Sequence, residues 1–276
     1  RVRERQTSSY ARIVSHRSRL WLYLYAGLGL FFLILPILIV VPMSFSNSRY
    51  LDFPPPGFSL RWYDAYFSNP VWMDATWVSL RVAFLSTALA VPVGVMAAYA
   101  LHISGWNVVR RLRIAMLLPL MVRHIILAMG TFFVFARVGL NATIPALVLA
   151  HTMLNAPFVI VTTLAGLRSF DMSQELVARS LGCSRLRAFL RVTLPQIKGS
   201  VLSGALFAFV MSLDEVVVGL FVSGGENTVL TKIMFAALRD EIDPTIAAIS
   251  SLLIMLSLSI GVLAVVVGRR GEKAPS

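Results

Sequence analysis

Six runs of about 20 largely apolar residues, near 21–43, 77–101, 114–135, 143–166, 201–222 and 246–267, alternate with shorter polar stretches along the chain. A helix rises about 1.5 Å per residue, so a run of this length crosses the roughly 30 Å of bilayer hydrocarbon. The pattern predicts an all-α polytopic membrane protein with six transmembrane helices. A transmembrane barrel would need alternating segments of about ten residues, and these runs are continuous. Trp21, Tyr23 and Tyr25 at one end of the first run, and Trp72 and Trp77 near the start of the second, suit the headgroup level.

Composition narrows the class. The 276 residues are 57% hydrophobic and 14% charged, against about 25% charged in a soluble domain, which excludes a soluble globular enzyme. The net charge of +12 would point to nucleic acid in a soluble protein; here it is explained by topology. Of the 25 Lys and Arg, 18 fall in 1–20, 102–113, 167–199 and the C-terminal tail, and 5 in the alternate loops 44–71, 136–142 and 223–245. The excess places both termini in the cytoplasm, facing anionic lipid rather than nucleic acid. The expected organisation is a cytoplasmic tail (1–20), one membrane domain (21–267) that includes a cytoplasmic segment (168–199), and a second tail (268–276). The first run exceeds the 7–15 residue core typical of a cleaved signal, so it reads as a retained anchor; the start at Arg1 leaves room for a preceding segment. A single Cys183 and four scattered His give no disulfide and no metal-ligand spacing.

The segment 168–199 is too polar to span and too long for a simple connection. Its pattern predicts a short helix over 175–181 with Ser173 as N-cap, a turn at Gly182, and a second helix from Ser184 that Pro195 ends or bends. Leu186, Phe189 and Leu190 fall on one stripe, with Arg187 and Arg191 on another face. Such a helix-turn-helix suits docking to a partner protein or resting on lipid headgroups.

Here the sequence resembles the permease subunits of binding-protein-dependent ABC importers. The run Glu175-Leu-Val-Ala-Arg-Ser-Leu-Gly182-Cys-Ser-Arg-Leu-Arg-Ala-Phe189-Leu-Arg-Val-Thr-Leu194-Pro195 is similar to their EAA loop, matching at Ala178, Gly182, Phe189, Leu194 and Pro195. The signature Glu-Ala-Ala falls on Leu176-Val177-Ala178, with the acid one place earlier at Glu175. The outer-loop run 53–63, Ala150-His151 leading toward Pro157-Phe158, Ser212-Leu-Asp-Glu-Val216 and the run 243–250 resemble the subgroup that imports spermidine and putrescine. The resemblance implies a non-enzymatic subunit of the bacterial inner membrane, with Glu175 and the five matched residues coupling it to an ATPase. It also implies a second permease subunit, two cytoplasmic ATPase subunits carrying ATP-Mg, and a periplasmic solute-binding protein. An amino acid or opine cargo is the alternative. Consistent with ATP bound elsewhere, the chain has no G-x-x-x-x-G-K-S/T loop.

Charges inside the spans give the candidate path. A charged side chain at the bilayer centre costs about 2.5–3.5 kcal/mol on insertion scales, so Asp214 and Glu215 are expected to face protein or water. Gly204, Ala208, Ser212, Glu215 and Gly219 would share one small-residue face of the fifth helix. In one reading the two acids, with Phe207, Phe221 and Arg123, line a path for a cationic solute; in the other they are structural and answer Arg123 or His124. His151 and Asn155, one turn apart, suit hydrogen bonds across helices ahead of solute contact. An ion-coupled secondary transporter would favour internal repeats, which are not evident, and a haem or quinone enzyme would want paired His on facing spans.

Overall fold

The computed structural model describes residues 20–104, 111, 115–240 and 243–272. Most of the expected N-terminal tail, most of the 102–113 loop and the last residues of the C-terminal tail lie outside them. In chain order the helices are α1 (Leu20–Ser44), α2 (Arg61–Ser68), α3 (Pro70–Ile103), α4 (His124–Arg137), α5 (Ile144–Ser169), α6 (Ser173–Ser180), α7 (Arg185–Asp214), α8 (Val217–Val222), α9 (Leu230–Asp240) and α10 (Thr245–Glu272). Among the described residues the β-structure is two isolated bridges, Ser46 to Phe58 and Gly224 to Asn227.

Five helices, α1, α3, α5, α7 and α10, are long and apolar enough to cross a bilayer. Two of them start by the same device. Asn69 Oδ1 accepts the Val71 N–H at 2.9 Å with Pro70 as the first residue of α3, and the Thr143 hydroxyl accepts the Ala146 N–H at 3.4 Å with Pro145 in the first turn of α5. A proline there sacrifices no bond the helix would have made.

The centre of the bundle is α3, α5 and α7 packed together. Lipid tails are as apolar as leucine, so helices associate in a bilayer largely through close packing of small residues. A Cβ on Gly94 of α3 would come within 2.8 Å of Val159, one on Gly166 within 2.5 Å of Ser200 Oγ, and one on Gly204 within 2.3 Å of Thr162 Oγ1. Ala90, Ala98, Ala150 and Ala208 complete these buried seams. By contrast α1 leans on α10 and leaves Leu24, Phe32 and Leu33 exposed.

Two of the expected spans are broken. The third is interrupted at Pro119, where a single 3-10 turn (Leu118–Leu120) ends in a bend, and the helix restarts only at His124. The 14 residues of α4 rise about 21 Å, short of the roughly 30 Å of hydrocarbon. The fifth begins far upstream at Arg185 and stops at Asp214; Glu215 is extended (ψ 105°) and α8 follows. The small-residue face therefore holds for Gly204, Ala208 and Ser212, which are buried, but Glu215 and Gly219 have left the helix. Gly219 instead meets Val229, 2.6 Å from where its Cβ would be.

The segment 168–199 folds as helix, turn and helix, with two corrections. Ser173 is not the acceptor at the start of α6: Asp171 accepts its backbone N–H (3.0 Å) and its hydroxyl (2.7 Å), which hold the Asp171 carboxyl below the usual carboxylate range. Pro195 does not end the second helix. The missing N–H falls just after a π turn, Phe189–Thr193, and the helix continues through it into the membrane. At the turn Gly182 takes φ +90°, while its N–H reaches Arg179 O and that of Cys183 reaches Ala178 O. These two bonds form a Schellman cap, whose left-handed position favours glycine.

Candidate functional site

The two helix breaks meet. Glu215 Oε1 accepts the N–H groups of Val217 (2.9 Å) and Val218 (3.0 Å), which explains why α8 begins there. Its Oε2 lies 3.3 Å from Nδ1 of His124, the first residue of α4. Irregular backbone at membrane depth persists only where protein or a cavity surrounds it. Here a cavity of about 20 Å³ is bounded by Pro119 and His124 at one break, Glu215 at the other, and His151, Asn155 and Phe158 of α5.

His151 and Asn155 are buried, yet His151 Nε2 and Asn155 Nδ2 have no hydrogen-bond partner. The other ring nitrogen, Nδ1, is 2.7 Å from Ser212 Oγ; Ser212 is 3.2 Å from Ser86 Oγ, and Ser86 donates to the Ala83 carbonyl at 3.2 Å. A carbonyl only accepts, so in the bond to Ala83 O it is Ser86 that donates, and with its proton there the rest of the chain runs one way. Ser86 spends its proton on Ala83 O and accepts from Ser212; Ser212 therefore accepts from His151 Nδ1–H. In the neutral ring Nε2 is then a bare lone pair.

Of the path residues named from sequence, the cavity gathers Glu215 directly and Phe207 at one remove, through its edge-on contact with Phe158 (ring centroids 5.0 Å). Asp214 is exposed beside the break and does not bound the cavity. Phe221 does not bound the cavity; it meets Phe132 edge-on (ring centroids 6.5 Å) and packs on the apolar cluster around Leu147 and Leu154. Arg123 is exposed just before α4, and the partner of Glu215 is the neighbouring His124. Of His151 and Asn155, His151 makes the expected bond across helices, to Ser212 of α7, while the Asn155 amide nitrogen makes none. The part of Ser86 was invisible in sequence, since it lies 126 positions from Ser212.

In the segment 168–199 Glu175 is 2% exposed. Its Oε1 accepts the Tyr99 hydroxyl at the end of α3, and its Oε2 accepts the Thr193 hydroxyl of the π turn at 2.5 Å. Phe189 is buried against the Tyr99 ring, with centroids 4.4 Å apart, and Leu194 is partly buried nearby. The expected apolar stripe is thus split. Phe189 faces inward, whereas Leu186 and Leu190 stay exposed with Leu176, Val177 and Leu181 around the Gly182 turn. Ala178 is half-buried and Pro195 exposed.

Residues 90–273 match the family described as the binding-protein-dependent transport system inner membrane component, and the chain belongs to that family. It is thus a non-enzymatic transport subunit of a multi-pass inner-membrane kind. The spermidine/putrescine transport system permease protein PotC of Haemophilus influenzae is 32% identical over 241 residues, 87% of this chain and 93% of that one. The putrescine transport system permease protein PotI of Escherichia coli K12 is 30% identical over 260 residues, 92% of each chain. The fold is shared with a bacterial ABC transporter involved in the import of the polysaccharide alginate, at a TM-score of 0.67 and 14% identity over 93% of this chain and 98% of that one.

Proposed function

We propose that this chain forms half of the translocation path of an importer for a linear polyamine such as spermidine or putrescine. The observation that carries the reading is the Glu215 carboxylate, held at a break between two helices inside the bundle and facing a cavity rather than lipid. An acid so placed favours a cation over a neutral or anionic solute. The names of the PotC and PotI relatives support the same cargo. Asp214 and Arg123 flank the break on the side left exposed, where a second permease subunit would pack, and Phe207 supplies an apolar wall. Phe221, removed from the cavity, supports the packing behind it.

Six crossings fit this reading, with α4 and the helical residues before Pro119 together serving as the third. The charge asymmetry then puts both termini and the segment 168–199 in the cytoplasm. The exposed leucines and Val177 around Gly182 form the surface on which one of two ATPase subunits docks, those subunits binding ATP-Mg. A periplasmic solute-binding protein delivers the cargo. Uptake of labelled spermidine into cells carrying or lacking this chain tests the reading, with an amino acid mixture as competitor. Loss of spermidine uptake on deletion is expected; uptake unaffected by deletion, or abolished by the amino acids, overturns it.

A further inference from the structure

The small cavity at the two helix breaks is bounded by polar atoms with few or no partners in the chain. With the Ser86 proton on Ala83 O, the hydrogen-bond chain through Ser212 leaves His151 Nε2 a lone pair. Glu215 Oε2 meets only His124 at 3.3 Å, its sister oxygen being taken by Val217 and Val218. Asn155 lies one turn from His151 on α5. Because its amide nitrogen makes no hydrogen bond, a half-turn about the last side-chain bond costs none and brings the carbonyl oxygen into its place. A buried polar group without a partner is costly, and two in one cavity indicate that something else completes them. The space of about 20 Å³ admits one group the size of a water molecule.

We infer that this cavity is a subsite for one primary ammonium group of the solute, received by His151 Nε2, Glu215 Oε2 and Asn155 Oδ1. An ammonium has three donors and no acceptor, the complement of those three atoms. Phe158 walls the cavity and meets edge-on the ring of Phe207, itself 45% exposed, so an apolar surface continues outward for the methylene chain behind the charged head. The inference rests on the polyamine reading and adds to it where one end of the molecule is held.

The test is direct binding to the assembled complex freed of its solute-binding protein, with putrescine as probe and 1,4-butanediol, of the same chain length but uncharged, as competitor. Putrescine should bind and the diol should not displace it. His151→Leu and Asn155→Leu should each raise the half-saturating concentration about ten- to hundredfold, as loss of one hydrogen bond to a charged group does. Asn155→Asp keeps the size of the side chain and fixes an acceptor there, so it should bind putrescine at least as tightly as the wild type, a result that a purely structural asparagine would not give. Should the leucine variants fail to assemble, Asn155→Asp decides alone, weaker binding overturning the inference. Leucine variants that titrate like the wild type, or a diol that competes equally, remove the subsite while the amine path stands. A wild-type complex that neither binds nor transports amines removes both.

Discussion

Thr193 donates its hydroxyl to the buried Glu175 carboxylate at 2.5 Å across eighteen residues of sequence. The bond fastens the short helix α6 to the π turn of α7, and the Tyr99 hydroxyl fastens both to the end of α3. Replacing Glu175 by Ala would leave two hydroxyls without an acceptor, at about 1–3 kcal/mol for each one buried. Thermal unfolding of the purified complex should show a clearly lowered midpoint for Glu175→Ala. Glu175→Gln should fall between, because its amide oxygen keeps one bond and a hydroxyl can reverse to meet the amide N–H. Equal midpoints for Ala and the wild type would mean the contact contributes nothing.

Gly182 has open space around it, with no atom within 4 Å of where a Cβ would stand, but its φ is +90°. A leucine there should cost about 1–2 kcal/mol through backbone conformation alone, confined to the turn. Gly182→Leu should insert normally and lose most transport, while Gly182→Asn, more tolerant of the left-handed region, should retain more. Normal uptake with Gly182→Leu, measured beside the amount of copurified ATPase, would remove the turn from coupling.

Glycines in this chain are not equivalent. A methyl on Gly204 would sit 2.3 Å from Thr162 Oγ1 and 3.3 Å from the Val159 backbone, whereas Gly27 has nothing within 4 Å. Gly204→Ala should destabilise the bundle by about 1–3 kcal/mol through overpacking, and Gly27→Ala should be silent or slightly stabilising. Detergent-dependent unfolding of the two variants side by side checks the contrast.

The two acids at the end of α7 should separate by phenotype. Glu215→Gln keeps an oxygen for the Val217 and Val218 N–H groups and loses the charge, so assembly should hold while polyamine flux falls about tenfold or more. Asp214→Asn, exposed beside the break, should lower flux less. Vesicle uptake of labelled spermidine, normalised to assembled complex, reads both; full flux in both single variants and in the double variant would exclude a path through these residues.

Much of this architecture was legible in the hydrophobic runs. The helices α1, α3, α5 and α10 lie where apolar stretches of spanning length occur, and Gly182 announced the turn between α6 and α7. The breaks were not legible. Averaged over 20 residues, one carboxylate or one proline barely changes the hydropathy, yet Glu215 stops a helix by offering its oxygen to the next one, and Pro119 removes a donor at the other break. The continuation of α7 through Pro195 was hidden for the opposite reason: a π turn absorbs the missing bond, and no residue spacing signals it. Glu215 and His151 stood out as polar residues inside apolar runs. Their partners did not, because Ser86, Ser212, Tyr99 and Thr193 are ordinary residues until the fold brings them opposite an acid or an imidazole.

The uninterrupted run of α7 has a mechanical consequence. Its 30 residues make a rod about 45 Å long, with the Gly182 turn at one end and the Glu215 cavity at the other. Its tightest seams, Ser200 against Gly166 and Gly204 against Thr162, fall near the middle of the rod, where a fulcrum would be. Pivoting by about 5° there moves each end by about 2 Å in opposite senses. That displacement exceeds the radius of a water molecule, about 1.4 Å, so a small push on the Gly182 end is enough to open or crush a one-molecule compartment at the far end.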